Sequence, residues 1–269
     1  MAAMNRREFI KCSAMACLSC SMFLKGFSCV SAAAAQENYY LMHKKDLVGA
    51  FRGVLAGVRQ MLKPEFGEAE TEKIIIQAET SFINWLPGMP EVGGAKNWDV
   101  EFIPVAAWYA ALYRPLRARG KTAEFVGKMI YQLNEYTWAS TPKDEARASG
   151  EALFSTQEQE NLRQWALWTQ ERQYPQNWVA NYLEGDGNTF DYGIDYTECG
   201  VVKYLQAQGT PELAPYVCSN DFIKSRAIGS GLVRSKTIAR GDGICNFRYK
   251  KDRPVLQDWE SELKLMQKQ

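Results

Sequence analysis

The chain has 269 residues, of which 46% are hydrophobic and 23% are charged, and it contains one histidine. Lysine and arginine together number 32 and aspartate and glutamate 31, so the sequence carries no basic footprint for nucleic acid. A single histidine, His43, leaves serine–histidine and cysteine–histidine mechanisms with little support, and we expect it to face solvent.

The N-terminus looks like a twin-arginine export signal. Arg6 and Arg7 stand in the stretch NRREFIK, an apolar stretch follows, and the segment ends in the small-residue run SAAAA that signal peptidase cuts. We therefore predict that residues 1–35 are a signal peptide handled by the twin-arginine export machinery. The mature protein is then periplasmic or otherwise exported. Because Lys25 interrupts a short apolar stretch, we expect no stable membrane anchor after cleavage.

Cleavage would change both the charge and the cysteine count. The predicted signal peptide holds four of the basic and one of the acidic residues, which leaves 28 basic and 30 acidic residues. Three of the seven cysteines remain, namely Cys199, Cys218 and Cys245. An odd number means that at least one of them stays unpaired within the chain.

The first half of the mature chain has the apolar periodicity of helices. Stripes of apolar residues predict helices at residues 39–62, 68–85, 102–119 and 122–139. Ser155 and Glu158 fit a capping box that opens a further helix to about residue 172.

The second half switches to strand alternation. Residues 177–184 and 189–196 alternate on either side of a glycine-rich turn, which predicts a hairpin. Helices are predicted at 197–208 and 210–222, and a second hairpin at 231–251. Both GDG stretches lie in these turns, so we interpret them as turns and not as phosphate-binding loops.

These elements predict an α+β fold. A helical N-terminal half precedes an antiparallel sheet of two hairpins with two intervening helices, in the order ββααββ. We assign residues 36–174 to the helical region, 175–252 to the α+β domain and 253–269 to a C-terminal tail. Residues 36–269 are expected to form one compact unit.

Cys218 and Asp221 are the first candidates for chemistry, because residues three apart on a helix lie on neighbouring turns of the same face. A carboxylate raises the pKa of an adjacent thiol, so a reactive Cys218 needs a cation such as Arg226, Arg234 or Arg248. Asp221 itself can act as a general base.

Other interpretations of the thiols stay open. Glu198 beside Cys199 is a second carboxylate near a helix start, where negative charge is favoured. The three thiols with Asp221 can hold a metal, although zinc sites usually supply close pairs of cysteines. Cys218 and Cys245 can form a disulfide after export, or all three can be buried structural thiols. We expect no metal and no other cofactor.

An ordered pattern over residues 175–250 resembles the L-2-amino-thiazoline-4-carboxylic acid hydrolase family. The stretch ECGVVKYLQAQGTPELAPYVCSNDF is followed by GLVRSKTIARGDGICNFRY. The shared features are a cysteine at a helix start, ELAP, a C-x-x-D, a basic-Thr strand and a G-x-x-x-C-[DN]-F-R hairpin. Asn246 stands where the family more often has Asp.

The resemblance implies a hydrolase that acts on a non-peptide C–N or C–S bond of a cyclic amidine in a small-molecule substrate. Water attacks the amidine carbon of the thiazoline ring, the ring sulfur or nitrogen leaves, and a carbamoylated cysteine is formed. On this basis Asp221 or Glu198 is the base, and Cys218 or Cys245 is a proton donor or a covalent nucleophile, with Cys199 as the third catalytic candidate. The substrate carboxylate is expected to bind Arg234 or Arg248. Strand alternation favours Arg234, because it puts Arg248 on the opposite sheet face from Cys245. The alternative is a non-catalytic domain that binds a small molecule or a metal in a cysteine-lined pocket.

Overall fold

The computed structural model describes residues 38–267. The predicted signal peptide, residues 1–35, lies outside the described residues. None of the described helices is long and apolar enough to cross a bilayer.

The helical first half is confirmed. It comprises α1 (Tyr39–Met42), α2 (Lys44–Trp85), α3 (Phe102–Arg117), α4 (Ala123–Ser140), α5 (Lys143–Ala152) and α6 (Thr156–Gln170). Apart from the short α1, the two helices predicted over residues 39–85 form one long element, α2, that is kinked at Gly67, where φ is 72°. A positive φ suits glycine because it has no Cβ, so this residue supplies the break that the sequence indicated.

Side-chain caps fix two helix starts, and the one at Ser155 was indicated by the sequence. The Thr122 hydroxyl accepts from the Phe125 amide before α4, and the Ser155 hydroxyl accepts from the Glu158 amide before α6. Helix α5 was not predicted. It buries only Ala146 and Gly150, so its sequence lacks an apolar stripe.

The α+β fold is confirmed, with a sheet of three antiparallel strands among the described residues. The strands are β1 (Val179–Glu184), β2 (Tyr192–Glu198) and β3 (Cys245–Tyr249), in the order β1-β2-β3. Tyr196 pairs with Cys245, and Ile194 pairs with Phe247. These residues share the sheet face that packs on α6 through Leu162 and Trp165.

The predicted second hairpin is not formed as two strands. Before β3 the chain makes one isolated bridge, in which the Val233 amide donates to the Arg248 carbonyl at 2.9 Å. The amides of Ser235 and Lys236 donate instead to the Asn246 side-chain oxygen, at 3.0 and 2.7 Å. Because a side chain takes up these amides, the segment leaves the sheet after one bridge and turns into a 3₁₀ helix at Ile238–Arg240.

Three helices, and not two, lie between β2 and β3. They are α7 (Gly200–Ala207), α8 (Ala214–Cys218) and α9 (Asn220–Ile228). The helix predicted over 210–222 is divided at Ser219, whose buried hydroxyl donates to the Pro215 carbonyl at 3.0 Å. The predicted C-terminal tail contains a further helix, α10 (Trp259–Met266).

Candidate functional site

The structure brings the three thiols together near the end of the helix-covered sheet face. Cys199 immediately precedes α7, Cys218 ends α8 and Cys245 begins β3. All three are free thiols; Cys199 and Cys218 are partly exposed, and Cys245 is buried. Residues separated by up to 46 positions in sequence therefore meet because β2 leads into α7 beside the start of β3.

Thr237 lies between two of these thiols. The Cys245 thiol donates to the Thr237 hydroxyl at 3.6 Å, and that hydroxyl donates to the Cys218 sulfur at 3.9 Å. The Ile238 amide donates to the Cys245 sulfur at 3.2 Å, and the Thr237 amide donates to Asp242 at 2.7 Å. Thr237 is thus a site residue that sequence reasoning missed, although it stands in the basic-Thr strand of the recognised pattern.

Arg234 joins the thiol–carboxylate pair. Its Nη1 donates to Asp221 Oδ2 at 2.5 Å, and its Nη2 donates to the Cys218 carbonyl at 3.2 Å. The Arg234 side chain is 1% exposed, whereas that of Asp221 is 30% exposed. The guanidinium also lies over the rings of Phe222 and Phe247, at 4.8 and 5.2 Å. A buried cation therefore holds a carboxylate that solvent can reach.

Burial keeps the thiols protonated. It raises the pKa of Cys199 to about 12, against the opposing effect of the Val201 and Val202 amides. It also raises the pKa of Cys218 well above its usual value, although the charge of Arg234 lowers it, and raises the pKa of Cys245 despite the Thr237 hydrogen bond. At neutral pH these groups are therefore S–H donors and not thiolates.

Two opposing effects act on Asp221. Burial raises the pKa of its carboxyl group, and the charge and hydrogen bond of Arg234 lower it. The net direction is upward, which moves this carboxylate toward the range in which a general base works at neutral pH.

Asp99, in the segment before α3, is a second carboxyl group that the sequence analysis missed. It is 3% exposed, and its Oδ2 has no hydrogen-bond partner. Burial raises its pKa to about 7, hydrogen bonding with Tyr196 opposes the rise, and the charge of Asp221 adds to it. Asp99 stands in no motif noted in the sequence, so only its burial in the fold distinguishes it.

Glu198 does not join the thiols in this arrangement. Its carboxylate pairs with Lys203 and Arg172, which lower its pKa. The same lysine donates to the Pro175 and Asn177 carbonyls, each at 2.8 Å. These contacts describe an ion pair that ties α7 to the segment before β1.

Arg248 lies on the other sheet face, as strand alternation predicted. It donates to Asp195 Oδ1 on β2 at 2.6 Å. Arg234 is on the thiol side, but its two Nη atoms contact protein groups and its buried Nε has no partner. The role of either arginine toward a substrate carboxylate stays a prediction, and the observed contacts direct Arg234 to Asp221.

Asn246, the departure from the recognised pattern, has a clear structural place. Besides accepting from two amides, its Nδ2 donates to the Ser235 hydroxyl at 2.9 Å. The residue therefore shapes the segment that carries Arg234 and Thr237. Within residues 38–267, no group of three or more His, Cys, Asp or Glu side chains is arranged to hold a metal ion. His43 is exposed, as expected.

Comparison with known proteins gives one family match. The sequence model described as L-2-amino-thiazoline-4-carboxylic acid hydrolase matches residues 100–249. Searches of curated proteins and of solved structures found no match. The matched range includes the three thiols, Thr237, Asp221 and Arg234, and it spans more than half of the chain. The chain therefore belongs to the L-2-amino-thiazoline-4-carboxylic acid hydrolase family.

Proposed function

We propose that the protein is a hydrolase that opens a cyclic amidine such as 2-amino-thiazoline-4-carboxylate by attack of water on the amidine carbon. Family membership supports hydrolysis. One geometric observation supports the mechanism: Asp221 is partly exposed, bonded to the buried Arg234, and one helical turn from a protonated Cys218. A base and a proton donor thus lie side by side.

Asp221 is proposed as the base. Arg234 keeps the carboxylate ionised against the effect of burial and holds it in one orientation through Nη1. As the water oxygen bonds to the amidine carbon, Asp221 takes one water proton. The positive charge of Arg234 favours the ionised form, so Asp221 readily gives up the proton and is restored as a base.

Cys218 is proposed as the proton donor to the leaving atom. When the tetrahedral carbon collapses, the bond from carbon to ring sulfur breaks, and the sulfur receives a proton. As the carbonyl forms, the second water proton passes to the amidine nitrogen, and the proton held on Asp221 restores the Cys218 thiol. Cys245 and Thr237 line up behind Cys218 as successive donors. The sum is substrate plus water giving a carbamoylated cysteine.

A covalent thiolate mechanism receives less support from the same geometry. Burial raises the pKa of all three thiols, and the Arg234 guanidinium points at Asp221 and at the Cys218 carbonyl, not at a sulfur. A nucleophilic cysteine needs the opposite arrangement, with a cation that stabilises the thiolate.

The experiment compares the two predicted bases. Ring opening is followed with 2-amino-thiazoline-4-carboxylate and a panel of cyclic amidines and amides, using wild type, Asp221→Asn, Cys218→Ala and Glu198→Gln. We expect Asp221→Asn to lower kcat by about 10²- to 10⁴-fold, as loss of a general base does, and Cys218→Ala to lower it less. Glu198→Gln should lose far less activity. Near-normal rates in both Asp221→Asn and Cys218→Ala would refute the assignment.

We also propose that the enzyme is exported through the twin-arginine pathway, on the evidence of Arg6, Arg7 and the SAAAA run. Fractionation of cells that express wild type and an Arg6→Lys, Arg7→Lys variant tests this. Wild type should be in the exported fraction and the variant in the cytoplasm; equal distribution would contradict export by this route.

A further inference from the structure

Helix α10 carries a buried acid to the back of the site. Glu262 is 1% exposed, and its Oε2 lies 3.5 Å from Arg234 Nη2 and 3.2 Å from Arg240 Nη1. The helix lies beyond residue 249, where the family match ends. A glutamate is almost never fully buried unless it is paired, and here two guanidinium groups provide the pairing.

Arg234 is consequently shared between two carboxylates. Its Nη1 contacts Asp221, whose side chain is 30% exposed, and its Nη2 contacts Glu262, whose side chain is 1% exposed. The first carboxylate faces the solvent side of the guanidinium and the second lies in the interior. Whatever attraction Arg234 gives to one of them is opposed by the other, because two like charges compete for one cation.

We propose that Glu262 is a positioning residue of the hydrolytic site: it holds Arg234 from the interior and draws part of its positive charge away from Asp221, which leaves Asp221 a stronger base. The proposal rests on the proposed function in that Asp221 is taken as the base. It assigns to α10 a role in tuning that carboxylate.

Glu262 also supports the thiol side through Arg240. Arg240 Nη2 donates to the Ser235 carbonyl at 2.9 Å and lies 3.9 Å from Asp242. Asp242 in turn accepts from the Thr237 amide, beside the two sulfurs. One buried carboxylate is thus linked to both the base and the thiol donors.

The position of Glu262 does not depend on its ion pairs alone. Asp258 and Ser261 form a capping box at the start of α10. Trp259 packs on the rings of Tyr131 and Tyr216, with centroid distances of 5.3 and 5.7 Å. Replacing Glu262 by Gln keeps the size of the side chain and leaves these anchors intact, so the helix is expected to stay docked.

Several charged and titratable groups face Asp221 from the elements around it. The cations are Arg234 and Lys224, and the carboxyl groups are Asp99 and Glu262. The remaining groups stay protonated at neutral pH because burial raises their pKa; they are Cys218, Cys245, Tyr109, Tyr196 and Tyr249. Of these groups, Glu262 is the carboxyl group that contacts the same guanidinium as Asp221.

The sign of the effect follows from this sharing. Without the charge of Glu262, Asp221 loses a nearby anion and gains the undivided attraction of Arg234. Both changes favour the ionised carboxylate, so the pKa of Asp221 falls, by about one pH unit for two carboxylates that share one guanidinium. The acid limb of the ring-opening pH profile should move to lower pH by the same amount.

The test is a carboxyl ¹³C NMR titration of full-length protein labelled at aspartate, with the Asp221 signal assigned from its absence in Asp221→Asn. Glu262→Gln is compared with Glu260→Gln, an exposed glutamate on the same helix. We expect the pKa of Asp221 to fall by about one pH unit in Glu262→Gln and by less than about 0.3 in Glu260→Gln. An unchanged or raised pKa in Glu262→Gln would overturn the proposal.

Arg240→Gln is a second variant, for which we expect the pKa of Asp221 to change in the opposite direction. Removing this cation leaves Glu262 dependent on Arg234 alone, so the pKa of Asp221 should rise; a fall or no change would count against the proposal even if Glu262→Gln does not fold. The titration requires no turnover. A failed ring-opening assay therefore overturns the proposed function separately, while an unmoved titration overturns the role of Glu262 whatever the turnover.

Discussion

The core between helices α2 and α3 and the interior behind the three thiols are both closed to solvent, but they are built from opposite chemistry. In the first, Phe51 packs against Phe82 and Trp108 with ring centroids 4.9 and 5.7 Å apart. In the second, Arg234 and Glu262 are each 1% exposed. Buried charges cost desolvation energy that apolar side chains of similar size avoid. Because stability alone does not account for such a cluster, it supports our proposal that the second region is the functional one.

The largest expected effect is on the free energy of unfolding, and its dependence on pH should differ between the two regions. Phe82→Ala and Arg234→Met should each lower the free energy of unfolding by about 3–5 kcal/mol at pH 8, the first through a cavity and the second through uncompensated carboxylates. At pH 5 the loss in Arg234→Met should shrink, because Asp221 and Glu262 can take up protons. The loss in Phe82→Ala should not change.

Urea unfolding of wild type and both variants at the two pH values measures this difference. Equal losses for Arg234→Met at pH 5 and pH 8 would show that the carboxylates are not the source of its cost. The proposed difference between the apolar core and the charged interior would then be wrong.

A smaller effect is expected at Asp99. Burial raises its pKa to about 7, so between about pH 4 and pH 7 the folded state binds a proton that the unfolded state has released. Stability contributed by this group is therefore present at low pH and lost as pH rises. Asp99→Asn should remove the loss and stabilise the protein by about 1–2 kcal/mol at pH 8, after the cost of an unpaired amide is subtracted.

The control for this prediction is the same variant at pH 4. At pH 4 the aspartic acid and the asparagine side chains are both uncharged. The substitution should therefore leave the free energy of unfolding unchanged or lower it slightly. Urea unfolding between pH 4 and pH 8 should show a flatter pH dependence for Asp99→Asn than for wild type; a parallel curve would contradict the buried, raised-pKa carboxyl group.

The smallest effect is expected at Asn246, where the recognised family pattern more often has Asp. An aspartate can accept the same two amides, and the Ser235 hydroxyl can reverse its hydrogen bond. Asn246→Asp should therefore change the free energy of unfolding by less than about 0.5 kcal/mol and leave turnover within about twofold, as for a surface change. A tenfold gain in kcat would instead show that a carboxylate at this position is catalytic.

Local features of this protein could be predicted from its sequence. Apolar periodicity located the long helices, the capping signal at Ser155 located a helix start, and alternation put Arg248 on the face away from Cys245. These signals are carried by residues close together in the chain. The ordered pattern around Cys218 and Cys245 also identified the family correctly.

The partners of the site residues could not be predicted in the same way. Asp99 lies more than 100 positions before Asp221 and has no motif, and Glu262 lies in a segment that the sequence suggested was a tail. Both are recognised as candidate site residues only from the structure, in which tertiary packing buries them. The sequence left three arginines as possible partners of Cys218. In the structure Arg234 takes this place, because its guanidinium is buried between the rings of Phe222 and Phe247.

The most direct test of the central claim is the ring-opening rate of 2-amino-thiazoline-4-carboxylate in wild type and Asp221→Asn as a function of pH. If Asp221 is the base, wild type shows an acid limb that reports its pKa, and Asp221→Asn loses about 10²- to 10⁴-fold in kcat together with that limb. A variant that keeps near-wild-type kcat and the same acid limb would contradict the account.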